Sequence, residues 1–261
     1  ALIIGKKLRR GMKKIVLVLC LLLLPALVWA APTWRITWLD MDETARPTGA
    51  FCYEDALYTS NQGSGASKGD GFILRYNLED RVETKLLAGK LYDPKGFVIV
   101  RNRVLLIDQN LDGEGKPGLI LADLKQDKII AATSVAAFEE LHGITALNSS
   151  NFIVTDKKNE QLFMVKAGAD NFEIENLVIN IGEASGVTLN DSFIYVAGSA
   201  LDEKTQQIKS GCIYQIDPFT TVTQRLVTLS QTTLGYLNSF ICHRGYLFAG
   251  ARTGQSGQET A

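Results

Sequence analysis

An all-β repeat architecture is predicted by two observations. The chain restarts at regular intervals on a glycine, and each restart is followed by four short apolar runs. Gly49, Gly96, Gly143 and Gly186 stand before such runs at spacings of 47, 47 and 43 residues, and Ser239 takes a fifth such place 53 residues on. Second runs follow as ALYTSN, RVLLIDQN, NFIVTDKK, SFIYVAGS and GYLFAGAR. Third runs are DGFILRYNL, PGLILADL, EQLFMVKA and SGCIYQID, and fourth runs are VETKLLAG, KIIAATSV, EIENLVIN and VTQRLVTL. Short runs rich in Val, Ile, Leu, Phe and Tyr, bounded by Gly, Asn, Asp and Pro, behave as strands. Ser134 to Leu141 could be helical but is too short to change the class. Four strands per unit of this length is the pattern of a β-propeller blade. A two-sheet sandwich also spaces strands evenly, but the fourfold grouping with a glycine at each restart favours the propeller.

The third unit, HGITALNSSNFIVTDKKNEQLFMVKAG, resembles an NHL-type repeat: a Gly-apolar start, an apolar run ending in Val-x-Asp, then Asn and a third strand. The other units match more loosely, over roughly residues 47 to 252. This resemblance implies the six-bladed propeller superfamily that also holds the gluconolactonase/regucalcin-like proteins. The fifth unit, YLNSFICHRGYLFAGART, supplies two strands before a Gly/Gln/Ser/Thr stretch. The reading is therefore four complete blades plus part of a fifth, a six-bladed ring incomplete at its C-terminus. TWRITWLDM, Thr33 to Met41, alternates well enough to add an outer strand to a closing blade.

The N-terminal region carries an address. Residues 1–11 precede Met12 and read as upstream read-through. Met12 to Ala30 then has a positive end at Lys13 and Lys14, an apolar core from Ile15 to Leu24, and small residues closing at Ala30. That is the plan of a secretory signal, bacterial in style, which leaves residues 31–261 as the propeller domain of a periplasmic or secreted protein. An uncleaved membrane anchor is the rival reading, and Pro25 with the small residue at Ala30 favours cleavage. No stable membrane span is expected after cleavage. The first thirty residues hold six cations and no acid, so the remainder has 21 basic against 28 acidic residues, net −7. An acidic domain lacks the electrostatic footprint for nucleic acid.

Two His and four Cys rule against a Cys/His zinc cluster. Past the signal, Cys52, Cys212 and Cys242 form an odd set, and Cys52 and Cys242 read as small core residues at one offset in their first strands. No Gly-x-Ser-x-Gly elbow, phosphate-binding loop or Cys-x-x-Cys is present. By family analogy, ligands meet a propeller where the first strands begin and the second strands end. That gives an entry ring of Thr48, Lys95, His142, Ser185 and Asn238 and a loop ring of Asn61, Asp108, Asp156, Ser199 and Arg252. Asn61, Asp108, His142, Asp156, Asn238 and Arg252 are the candidate ligand-binding residues, with His142 the group able to act as a base near neutral pH.

The gluconolactonase-like resemblance implies a Glu, two Asn and an Asp around one divalent cation. Asn238-Ser239 fits one such slot, the third blade holds His142-Gly143 instead, and the early Glu-Gly-Pro motif is missing. Asp108-Gln-Asn110-Leu-Asp112-Gly113 reads D-x-N-x-D-G, a ligand pattern for calcium or another divalent cation through Asp108, Asn110 and Asp112. Its twelfth position is Leu119, which cannot coordinate, and a hairpin connection uses the same turn formers. Two functions stay open. One is a binding or scaffold propeller that takes a small molecule or a protein on its loop face. The other is a divalent-metal-dependent lactonase or esterase. If the signal reading holds, Edman sequencing of exported protein should begin at Ala31, and a start at Met12 would contradict it.

Overall fold

A computed structural model describes residues 46–64, 69–179, 181–201, 208–230, 236–243 and 246–252. The signal pattern and the segment from Thr33 to Met41 lie outside the described residues. The first blade is β1 (Pro47–Tyr53), β2 (Ala56–Asn61), β3 (Gly71–Asn77) and β4 (Glu83–Leu91). The second is β5 (Pro94–Val100), β6 (Arg103–Asp108), β7 (Gly118–Asp123) and β8 (Lys128–Thr133). The third is β9 (Leu141–Ala146), β10 (Asn151–Asp156), β11 (Gln161–Ala167) and β12 (Phe172–Ile179). The fourth is β13 (Val187–Asn190), β14 (Phe193–Leu201), β15 (Ile208–Ile216) and β16 (Thr223–Ser230), followed by the pair β17 (Tyr236–His243) and β18 (Tyr246–Arg252). Each sheet is an antiparallel meander in chain order. First strands lie side by side, β1 on β5, β5 on β9, β9 on β13 and β13 on β17, so every blade runs outward from a common axis. The protein is a β-propeller. Ser134 to Leu141 forms no helix; it is the connection into β9 and buries Phe138. No helix among the described residues is long and apolar enough to cross a membrane.

The unbroken apolar runs follow from burial on both faces of a blade. In β6 and β7, Val104, Leu106, Ile120 and Ala122 face the first blade, packing with Tyr58, Ile73, Leu87 and Leu91. The alternate residues Leu105, Ile107, Leu119 and Leu121 face the third blade and meet Phe152, Val154, Phe163 and Val165. The next interface repeats the scheme, with Ile153 and Leu162 against Val187, Ile194, Val196 and Ile216. Each such buried Leu or Ile contributes about 1.5–3 kcal/mol, so the blade faces carry the fold. Burial varies along the first strands. Phe97 and Val187 are buried, whereas Phe51 and Ile144 are half-buried. Cys52 departs from the reading as a core residue. It is exposed, because Phe51 and Tyr53 take the face toward the second blade and Cys52 alternates away from it. Cys212 is buried, and neither Cys52 nor Cys212 is in a disulfide.

The repeated glycines mark where neighbouring blades come closest. A Cβ on Gly49 would lie 2.9 Å from the Lys95 carbonyl oxygen, and one on Gly96 would lie 2.7 Å from that of His142. At Gly143 a Cβ would strike the carbonyl of Ser185 outright. Each glycine thus admits the backbone that opens the next blade. Third-to-fourth-strand hairpins repeat as well: Asn77, Asp123 and Asp217 accept the two amides that follow at the second and third positions. Four residues after each of these stands a residue at positive φ, namely Arg81, Asp127 and Thr221. Thr221, at φ 57°, is β-branched and disfavours that conformation.

Replacing Gly143 by Ala should therefore lower stability by about 1–3 kcal/mol in urea unfolding, the usual cost of forced overpacking. Thr221→Asn should raise it by about 1 kcal/mol, because Asn tolerates the left-handed region better. Equal midpoints for wild type and Gly143→Ala would contradict the close approach.

Candidate functional site

Strand pairing brings the two rings of residues to one end of the propeller. Pro47 pairs with Asn61, Pro94 with Asp108, Leu141 with Asp156 and Tyr236 with Arg252, so these four first strands begin where their second strands end. Just past these pairs in the first three blades, and after Leu237–Ala251 in the last, register slips by one residue. Thr48 with Gly49 faces Ser60, and Lys95 with Gly96 faces Ile107. His142 with Gly143 faces Thr155, and Asn238 with Ser239 faces Gly250. Four members of the entry ring are thus the extra residue of a β-bulge, a device that re-aims a side chain out of the pleat. Ser185 differs, since it precedes β13 and bonds Ala197 through its amide at 2.8 Å.

The described side chains of the loop ring, those of Asn61, Asp108, Asp156 and Ser199, are buried, the first three of them fully. The Asp108 carboxylate accepts the amides of Tyr92 (2.9 Å), Asp93 (2.8 Å) and Asn110 (2.9 Å). Asp156 does the same for Glu139 (2.7 Å), Glu140 (3.1 Å) and Asn159 (3.1 Å). These aspartates tie the strand that enters a blade to the turn that leaves its second strand. Asn61 occupies the same place in the first blade, donating to the Thr59 carbonyl and hydroxyl while its Oδ1 is buried without a donor. Of Asn238 and Arg252 the strand positions are described, and their side chains lie outside the described residues.

The D-x-N-x-D-G segment folds as a hairpin connection between β6 and β7. Asp108 holds the amides above, and Asn110 Oδ1 accepts the Gly115 amide. Asp112 accepts the Glu114 amide at 2.9 Å and pairs with Lys116 at 3.3 Å. That amide is the main cause of an Asp112 carboxyl held below the usual carboxylate range. Side-chain oxygens aimed at the loop's own amides are what the hairpin reading expects. No cluster of three His, Cys, Asp or Glu able to hold a metal ion occurs among the described residues.

The mouth itself is lined by charge pairs and one imidazole. Lys95 meets Asp93 at 2.7 Å, and Gln62 from the first blade donates to the same carboxylate at 2.7 Å. Lys157 pairs with Glu140 at 3.7 Å, and Lys158 with Glu139 at 2.6 Å. Thr48 reaches across to the Pro94 carbonyl at 2.5 Å, and Gln109 donates to the Leu141 carbonyl. Burial, then the Lys157 charge, holds His142 below the usual histidine range. It is a neutral hydrogen-bonding group at pH 7. The far end carries a shallow groove of about 250 Å³ on the fourth blade, lined by Phe193, Gln215, Asp217, Thr220, Val222 and Gln224. Phe219 and Val222 are exposed beside it.

No protein-family profile matches the chain, and no curated protein matches it. Among solved structures the chain is similar to one in a crystal structure of a nidogen/laminin complex. The TM-score is 0.59 at 15% identity, covering 80% of this chain and 73% of that one. That likeness shows the propeller fold.

Asp108→Ala should leave three amides without an acceptor and cost about 2–4 kcal/mol of stability. Millimolar calcium should leave the melting temperature of the wild type unchanged. A calcium-dependent rise that Asp112→Ala removes would instead establish the ion site.

Proposed function

We propose that this chain is an exported binding module that holds a protein partner on the entry face of its propeller. The carrying observation is the contrast between frame and ring. The frame positions repeat: glycines against the next blade's carbonyl, and aspartates under the entering strand. The ring residues set on that frame by bulges differ in chemistry from blade to blade, as Thr48, Lys95, His142 and Asn238. A rigid scaffold presenting unlike side chains at one end is how a repeat fold builds a recognition surface. The similar solved chain comes from a complex between proteins, which supports a protein partner over a small molecule. Export rests on the signal pattern from Met12 to Ala30.

A photo-crosslinking residue at Lys95 should yield a discrete adduct in the native exported fraction. The same residue at Lys125, on the far-end hairpin, should yield none. Equal labelling from both positions would contradict an entry-face site.

A further inference from the structure

The residue that closes the second strand does one task in two blades and another in the first. Asp108 takes the amides of Tyr92 and Asp93 at 2.9 and 2.8 Å, and Asp156 those of Glu139 and Glu140 at 2.7 and 3.1 Å. Each carboxylate thereby pins the corner by which the chain enters that blade. Pro47 stands opposite Asn61 as Pro94 stands opposite Asp108, so the amide that matches Asp93 and Glu140 in the first blade is that of Arg46. Asn61 does not take it. The side chain is completely buried, with Nδ2 turned to the Thr59 carbonyl at 2.9 Å and the Thr59 hydroxyl at 3.0 Å, and Oδ1 has no donor. A carboxylate has two acceptor oxygens to divide among several amides, whereas a carboxamide has one and must donate with its other end. The bond from the following residue to the corner carbonyl, Gln62 to Arg46 at 3.1 Å, recurs from Gln109 to Asp93 and from Lys157 to Glu140. The first corner therefore shares that bond with the other two and lacks their carboxylate latch.

We propose that the Arg46 corner is the adjustable edge of the mouth: it opens at lower free energy than the corners at Asp93 and Glu140, and Gln62 carries that opening to the ion pair of Asp93 and Lys95. Gln62 is placed for this at both ends. Its amide bonds the Arg46 carbonyl, and its Nε2 donates to Asp93 Oδ1 at 2.7 Å, the oxygen that meets Lys95 Nζ at 2.7 Å. With the corner closed, Asp93 divides one oxygen between Gln62 and Lys95. With it open, Gln62 loses its anchor on Arg46, and Lys95 keeps that oxygen to itself. The movement is bounded on both sides. Thr48 fixes the start of β1 on the Pro94 carbonyl at 2.5 Å, and the Asp93 amide stays on Asp108 at 2.8 Å. A segment that yields beside a fixed frame is where a recognition surface adapts to what it meets. The device rests on the frame and holds whatever the face binds.

Native-state amide exchange on the whole chain, corrected for intrinsic rates, tests this. In wild type the Arg46 amide should exchange about tenfold faster than those of Asp93 and Glu140. Asn61→Asp supplies the carboxylate found at the other two corners, and should slow Arg46 about tenfold while leaving Glu140 unchanged. The carboxyl carbon of Asp93 should shift in the same variant, because Gln62 is then held in its closed place. Thr59→Val with Asn61→Asp copies Val154 and Asp156 of the third blade and serves if Asn61→Asp alone does not fold. Arg46 protected as well as Asp93 and Glu140 in wild type would overturn the proposal, and this comparison needs no variant. Arg46 as fast in a folded Asn61→Asp as in wild type would overturn it too, and an unmoved Asp93 carboxyl would overturn the link through Gln62.

Discussion

Everything at the mouth depends on how closely one blade's first strand approaches the next. Gly49, Gly96 and Gly143 allow the carbonyls of Lys95, His142 and Ser185 to sit where a side chain would otherwise stand. Hydroxyl groups then bond to two of those carbonyls, Ser60 to Lys95 at 2.6 Å and Thr155 to Ser185 at 2.6 Å. The second blade has Ile107 at the corresponding position, and there Gln109 bonds to the Leu141 carbonyl instead. Apolar packing drives the blades together, but it is non-directional. The glycine contact and its hydrogen bonds set how far each blade turns relative to its neighbour.

That constraint also explains the bulges. A strand that must bring a glycine against the next blade and still pair with its own second strand needs one residue more than its partner. The extra residue is the entry-ring residue in the first three blades and again in β17. Chemistry varies at these positions while the amides around them are held by the buried aspartates. Equivalent amide-to-carbonyl bonds run from Gln62 to Arg46, Gln109 to Asp93 and Lys157 to Glu140, fixing the same corner in three successive blades.

Much of the fold was legible in the sequence, because a blade buried on both faces writes its strands as continuous apolar runs such as VLLI in β6 and LILA in β7. The glycine period was equally visible, though its cause, a carbonyl from the next blade, was not. The mouth was legible as an address, and the burial of its aspartates was not. An Asp at the end of a strand looks the same in sequence whether it faces a ligand or holds buried amides. Asp108 and Asp156 each follow the acid that precedes the ring residue, Asp93 and Glu140, by nearly constant spacing. Such regularity is a mark of the frame rather than of a site. Cys52 shows the converse limit, since alternation along β1 decides its exposure and the repeat offset does not.

Central to this account is a rigid frame at the mouth, built on amides held by buried aspartates. Native-state hydrogen exchange at Tyr92, Asp93, Glu139 and Glu140 tests it most directly. These amides lie in connections between blades, where exchange is ordinarily fast. The account predicts that they exchange as slowly as those of the inner strands β6 and β10, with opening free energies near that of global unfolding. Exchange at the rate of the hairpin tips, such as Lys125 and Gln126, would contradict it.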